Sequence, residues 1–132
     1  MFKNIFILAT LIAIFHCSSL RTLSSSDFDT VLSENSKVIV FFFSPGCGHC
    51  TKFRPEYEKL PEMLKEENIV VAEVNCVDNV EVCEQENIEG YPTINLYDNK
   101  FKVNYNEERT ADAVIKWIQK YNNAKINIIT KE

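Results

Sequence analysis

The stretch "FFFSPGCGHC", Phe41 to Cys50, joins three consecutive aromatic residues to two cysteines separated by two residues, one of them a histidine. With the residues before it, the apolar run covers Lys37 to Phe43, "KVIVFFF". A continuous run of β-branched and aromatic residues suits a central strand covered on both faces, since a half-exposed strand would alternate. Beyond the cysteines the period changes. Phe53, Tyr57, Leu60 and Leu64 recur at i, i+4, i+7 and i+11, the spacing of one helix face. Pro55 inside this pattern and Pro61 near its end predict kinks. The cysteine pair is therefore expected where a buried strand hands over to a helix.

Working outward gives the rest of the order. "SSDFDTVLSEN" reads as a short helix with Phe28, Val31 and Leu32 on one face and a capping box from Ser26 and Asp29. "NIVVAEVNC" is a second buried strand, and "DNVEVCEQEN" a short helix with Asp78 as its cap. "PTINLY" and "FKVNY" are strands joined by Asp98-Asn99-Lys100 in a tight hairpin. A last helix runs from Thr110 to about Tyr121, with Ala111, Val114, Ile115 and Ile118 inward. Leu20 to Leu23 is a candidate edge strand ahead of the first helix. The order α-β-α-β-α-β-β-α implies an α/β fold: a mixed sheet, mostly parallel with an antiparallel final hairpin, and helices on both faces.

At 132 residues the chain is expected to hold one domain. A formal charge of −5, with no basic cluster, argues against nucleic acid as a partner. "MFKNIFILATLIAIFHCSSL" has one cation, an apolar run from Ile5 to Phe15 and then small residues, the layout of a secretory signal peptide cleaved after Ser19. The run falls short of the roughly 20 apolar residues of a spanning helix, so no stable membrane span is expected, a retained anchor being the other reading. Cleavage would leave four of the five cysteines, Cys47, Cys50, Cys76 and Cys83, and His49 as the remaining histidine. Four cysteines in an exported chain suggest two pairs in an oxidising compartment.

The position of Cys47 decides its chemistry. Free N–H groups at a helix N-terminus stabilise a thiolate, and a protonated His49 would add positive charge. Together these bring a thiol from about 8.5 into the range of about 3.5–7.5. Such a thiolate attacks disulfides and is also a good leaving group, which makes the disulfide form more oxidising. Cys50, one turn further on, is close enough to close a disulfide with Cys47. A four-thiolate zinc site from Cys47, Cys50, Cys76 and Cys83 uses the same residues, but the gap from Cys76 to Cys83 is long for a zinc knuckle. A purely structural Cys47–Cys50 bridge would close so short a loop that it contributes roughly 2 kcal/mol or less. The redox reading is preferred, with no metal and no cofactor beyond a redox-active Cys47–Cys50 disulfide.

The sequence resembles the thioredoxin superfamily, and within it a catalytic domain of the protein disulfide isomerase family. "CGHC" (47–50), "RPEYEKL" (54–60), "EGYPT" (89–93) and "ERT" (108–110) carry the resemblance, in family order, from about Ser24 to Tyr121. It implies a thioredoxin fold, with residues 1–19 a signal peptide, 20–121 the thioredoxin-like domain and 122–132 a C-terminal tail. It also implies thiol-disulfide oxidoreductase or isomerase activity on unfolded or misoxidised secretory proteins, with glutathione or a thiol oxidase as redox partner. By the resemblance Cys47 is the nucleophile and Cys50 the resolving thiol, in a motif completed by Gly48 and His49, and His49 stabilises the Cys47 thiolate. Pro92 matches a cis-proline facing the cysteines, so that the Tyr91 backbone pairs with an extended substrate. Arg109 matches an arginine that tunes the resolving cysteine, and Cys76 and Cys83 match a structural disulfide worth about 2.5 kcal/mol by loop entropy.

There are three departures. Gly46 stands where the family has tryptophan, Phe41 where it has a buried glutamate, and the final "ITKE" is not a KDEL-type signal. The first two bear on turnover. The third leaves secretion beside residence in the lumen of the endoplasmic reticulum. A second functional reading follows from Gly46 and Phe41: a redox-sensitive, chaperone-like module that captures clients and turns over weakly.

Overall fold

The computed structural model describes residues 19–130. The expected signal peptide lies outside the described residues except for Ser19. Arg21–Leu23 forms β1, Phe28–Glu34 α1, Lys37–Phe43 β2, Gly48–Tyr57 α2, Leu60–Met63 α3 and Val70–Asn75 β3. Val80–Gln85 forms α4, Thr93–Asp98 β4, Phe101–Tyr105 β5 and Ala111–Ile129 α5. The sheet order is β1-β3-β2-β4-β5. β1, β3 and β2 run parallel, while β4 lies antiparallel to β2 and to β5. This is the thioredoxin fold, a central mixed sheet with helices on both faces.

The run Val38–Phe43 is continuously apolar because β2 is the middle strand and both its faces are covered. Ile39 and Phe41 pack with Cys50, Phe53, Tyr57 and Val114, under α2 and α5. Val38, Val40 and Phe42 pack with Phe28, Val31 and Val82, over α1 and α4. β1 occupies the edge beside β3, as the candidate at Leu20–Leu23 anticipated.

Several local expectations need correction. The apolar stripe from Phe53 to Leu64 is present, but two helices carry it. The chain tightens where Lys59 N–H bonds Glu56 O, and Pro61, without an N–H, sits in the first turn of α3. The Ser26–Asp29 capping box does not form: Asp27 occupies the cap position, its carboxylate accepting from Ser24 N–H at 2.6 Å. Asp78 does not cap α4; Asn79 holds that position, and Asp78 accepts from the Asn75 amide. In the hairpin, Asp98 belongs to β4 and the loop is Asn99-Lys100, with φ of 48° and 71°. Two positive φ values give the turn whose twist matches paired strands.

The last helix does not stop near Tyr121. It starts at the Thr110 cap, whose hydroxyl accepts from Ala113 N–H, and runs to Ile129, taking in most of the segment expected as a tail. Asp98, almost fully buried at the end of β4, accepts from Tyr121 Oη at 3.0 Å and Lys125 Nζ at 2.6 Å. These bonds hold the added turns against the sheet.

Candidate active site

β2 ends at Phe43, and the chain turns through Ser44 to Gly46. Cys47 N–H bonds the Ser44 carbonyl at 3.0 Å, and Cys47 becomes the cap residue of α2. Its Sγ accepts from Cys50 N–H at 3.2 Å and lies 3.5 Å from the Tyr91 carbonyl oxygen, to which the thiol donates. The site is in its dithiol form, with Cys47 half-exposed and Cys50 buried.

The two thiols differ strongly. Cys47 lies below the ordinary thiol value. The Cys50 thiol's hydrogen bond contributes most, the backbone N–H groups of Cys50 and His49 and the charge of Arg109 add to it, and partial burial opposes. Cys50 is pushed up to about 11, first by burial and then by its bond to Cys47, with the Ser44 backbone and Arg109 opposing. One cysteine is thus suited to attack while the other keeps its proton.

The remaining expected site residues fall around this pair. His49 acts on Cys47 through its backbone N–H, while its ring stands in solvent at the first turn of α2. Gly48 and Gly46 both have open space where a Cβ would stand. The Tyr91–Pro92 peptide bond is cis. Arg109 is exposed on the loop between β5 and α5, and its charge lowers both thiols. Cys76 and Cys83 form a disulfide and belong to the core on the opposite face of the sheet from Cys50. Two of the four thiols a zinc site would need are thus bonded to each other, and the four lie on two faces.

Phe41 is fully buried in a cluster with Phe43, Phe53 and Tyr57, at ring separations of 5.0–5.5 Å. Sequence reasoning missed what stands beside it. Glu73 on β3 is in register with Phe41, and its carboxylate accepts from Arg54 at 2.6 Å and from Thr22 Oγ1 at 3.2 Å. The Arg54 guanidinium lies 4.5 Å from the centre of the Phe43 ring and 5.5 Å from that of Phe41. The signal was an acid in the otherwise apolar strand "VVAEVN". Glu73 is held by these two donors, and its charge raises the Tyr57 hydroxyl, after burial.

The family model described as Thioredoxin matches residues 19–120. The chain belongs to the thioredoxin family. Among curated relatives, a protein disulfide-isomerase of Humicola insolens is 34% identical over 121 residues, covering 91% of this chain and 24% of its own. Among solved structures, the first thioredoxin domain of mouse protein disulfide-isomerase A4 has a TM-score of 0.69 at 30% identity, over 75% of this chain and 72% of that one. The first two thioredoxin domains of Naumovozyma dairenensis Eps1p match at a TM-score of 0.68 and 40% identity, over 74% of this chain and 38% of that one. The chain thus spans about a quarter of the length of the first curated relatives it matches. Within the family it is similar to single domains of disulfide isomerases.

Proposed function

We propose that this chain is a thiol-disulfide oxidoreductase of the disulfide-isomerase type, acting through Cys47 and Cys50 on proteins of the secretory pathway. The observation that carries the reading is the asymmetry of the two thiols. An accessible thiol is lowered at a helix cap, while its neighbour one turn on is buried and raised. Cys47 as thiolate attacks a client disulfide and forms a mixed disulfide, and the client's departing sulfur takes up a proton. Cys50 then loses its proton and attacks Cys47 Sγ. The Cys47–Cys50 bond forms and the client leaves reduced. Run backward, the same steps pass a disulfide into a dithiol client. In both directions two electrons move between one dithiol and one disulfide. The Tyr91 carbonyl, beside Cys47 Sγ, offers an acceptor for the backbone of an extended client. The Cys76–Cys83 bridge is structural in this reading, and no cofactor takes part.

A second reading, a client-binding module of weak turnover, draws on the height of the Cys50 thiol and the apolar Phe41 beside it. Insulin reduction and refolding of oxidatively scrambled ribonuclease separate the two. The oxidoreductase turns over in at least one assay, and Cys47→Ser abolishes it. Stoichiometric client binding without turnover supports the module instead.

A further inference from the structure

The loop between β5 and α5 has a feature that dithiol chemistry alone does not use. A cavity of ≈ 270 Å³ opens beside Pro92, with Asn104, Asn106, Glu107 and Arg109 among its walls. Glu107 and Arg109 carry opposite charges, yet neither forms a salt bridge among the described residues. Asn104 directs its amide N–H groups to the Ile94 carbonyl and Asn95 Oδ1, and no described group donates to its own side-chain oxygen. Neither thiol lines the cavity, but two of its walls lead to them. Pro92 follows Tyr91, whose carbonyl touches Cys47 Sγ, and the charge of Arg109 reaches both cysteines.

We propose that this cavity seats the α-amino-acid head group of a low-molecular-weight thiol or disulfide, its carboxylate on Arg109 and its ammonium on Glu107, with the attached sulfur facing Cys47. The proposal rests on the reading that Cys47 and Cys50 exchange disulfides. An anion alone would suit Arg109 but not the acid beside it. A cation alone would meet the reverse conflict. A zwitterionic head uses both charges and leaves hydrogen bonds for the two asparagines.

With glutathione disulfide as probe, the Cys47 thiolate attacks one sulfur. The Cys47–glutathione bond forms as the glutathione S–S bond breaks, and the first glutathione leaves with the proton given up by Cys47. Cys50 then attacks Cys47 Sγ, and the second glutathione leaves with the Cys50 proton. Two electrons pass from the dithiol to glutathione disulfide.

The test compares oxidation of the reduced full chain by glutathione disulfide and by hydroxyethyl disulfide, which is neutral and has no head group. Arg109→Gln slows both through its effect on the thiols, but a bound head group adds a further loss for glutathione disulfide alone, about two- to fivefold for an exposed charged contact. Glu107→Gln is the sharper variant. Non-specific electrostatics predicts faster reaction of a net-negative disulfide once an acid is removed. A seated ammonium predicts the opposite: a raised KM and slower reaction with glutathione disulfide, with the hydroxyethyl disulfide rate unchanged. An unchanged or increased glutathione-to-hydroxyethyl rate ratio in Glu107→Gln overturns the proposal. Failure of the wild type to react with either disulfide overturns the oxidoreductase reading itself, and the proposal with it.

Discussion

Release of the client should limit turnover, and the reason lies at Phe41. Cys50 is pushed up to about 11, with burial the first cause. In the mixed disulfide Cys47 bears no thiol, so its hydrogen bond and charge no longer raise Cys50; burial persists, and about 11 is the ceiling for Cys50 there. At that ceiling a thiol is ionised at pH 7 to about 1 part in 10⁴, against about 3 in 100 for an ordinary cysteine, a deficit of up to about 300-fold. Higher basicity returns about tenfold or slightly more in intrinsic nucleophilicity, so resolution is slowed by up to about 20- to 30-fold. A nearby base would relieve this, yet Phe41 accepts no proton and Glu73 is tied to Arg54 and Thr22. Phe41→Glu places a carboxylate in the Cys50 cluster with the Arg54 guanidinium close by. It should cost about 3 kcal/mol or more of stability through the lost ring and the buried charge. General-base help is worth about 10²–10⁴-fold at best, so a rise of about tenfold or more in resolution at pH 7 is expected from imperfect geometry. Rapid-quench decay of a Cys47–client mixed disulfide measures this directly. Wild-type decay should rise about tenfold per pH unit from pH 6 to 9, and the variant should be faster and flatter. Wild-type decay that is flat with pH and as fast as the variant's refutes the reasoning.

Gly46→Trp restores an apolar docking surface before Cys47. Open space at the Cβ predicts stability within about 0.5 kcal/mol of wild type and a lower KM for unfolded clients, read by urea melts and insulin-reduction kinetics. Asp98→Asn should destabilise the fold by about 1–3 kcal/mol, because Lys125 and Tyr121 lose a charged acceptor in a nearly buried position. Burial raises the Asp98 carboxyl, but those bonds outweigh it and its folded value is depressed. Its contribution is therefore present above the unfolded carboxylate value and lost as pH falls through the folded one. Melts of wild type and Asp98→Asn should converge in acid. Cys76→Ser with Cys83→Ser should cost about 2.5 kcal/mol by loop entropy while client turnover persists, and in wild type this pair should stay closed in mild reductant that opens Cys47–Cys50.

Much of this architecture is legible in the residues. The unbroken apolar run Val38–Phe43 signals a strand covered on two faces, and β2 has that place. The position of Cys47 between strand and helix follows from the change of period after it, and the structure makes it the cap of α2. Caps and ends were less legible. Ser26, Asp27, Asp78 and Asn79 are all good cap residues, and bonds from Ser24 to Asp27 and from Asn75 to Asp78, each three residues along the chain, select among them. The length of α5 was hidden because its final turns are held by a buried acid from another element, Asp98, which local periodicity does not see. The Arg54–Glu73 pair beside Phe41 likewise depends on strand register, which sets two distant residues side by side.

The central claim is that Cys47 attacks and Cys50 resolves, and client trapping tests it most directly. The single variants Cys47→Ser and Cys50→Ser, each in the full chain, are incubated with a scrambled secretory protein, quenched with acid and mapped by mass spectrometry. The account predicts mixed disulfides that accumulate in Cys50→Ser, linked through Cys47, and none in Cys47→Ser. Trapping through Cys50 in Cys47→Ser, or through Cys76 or Cys83 in either variant, contradicts it.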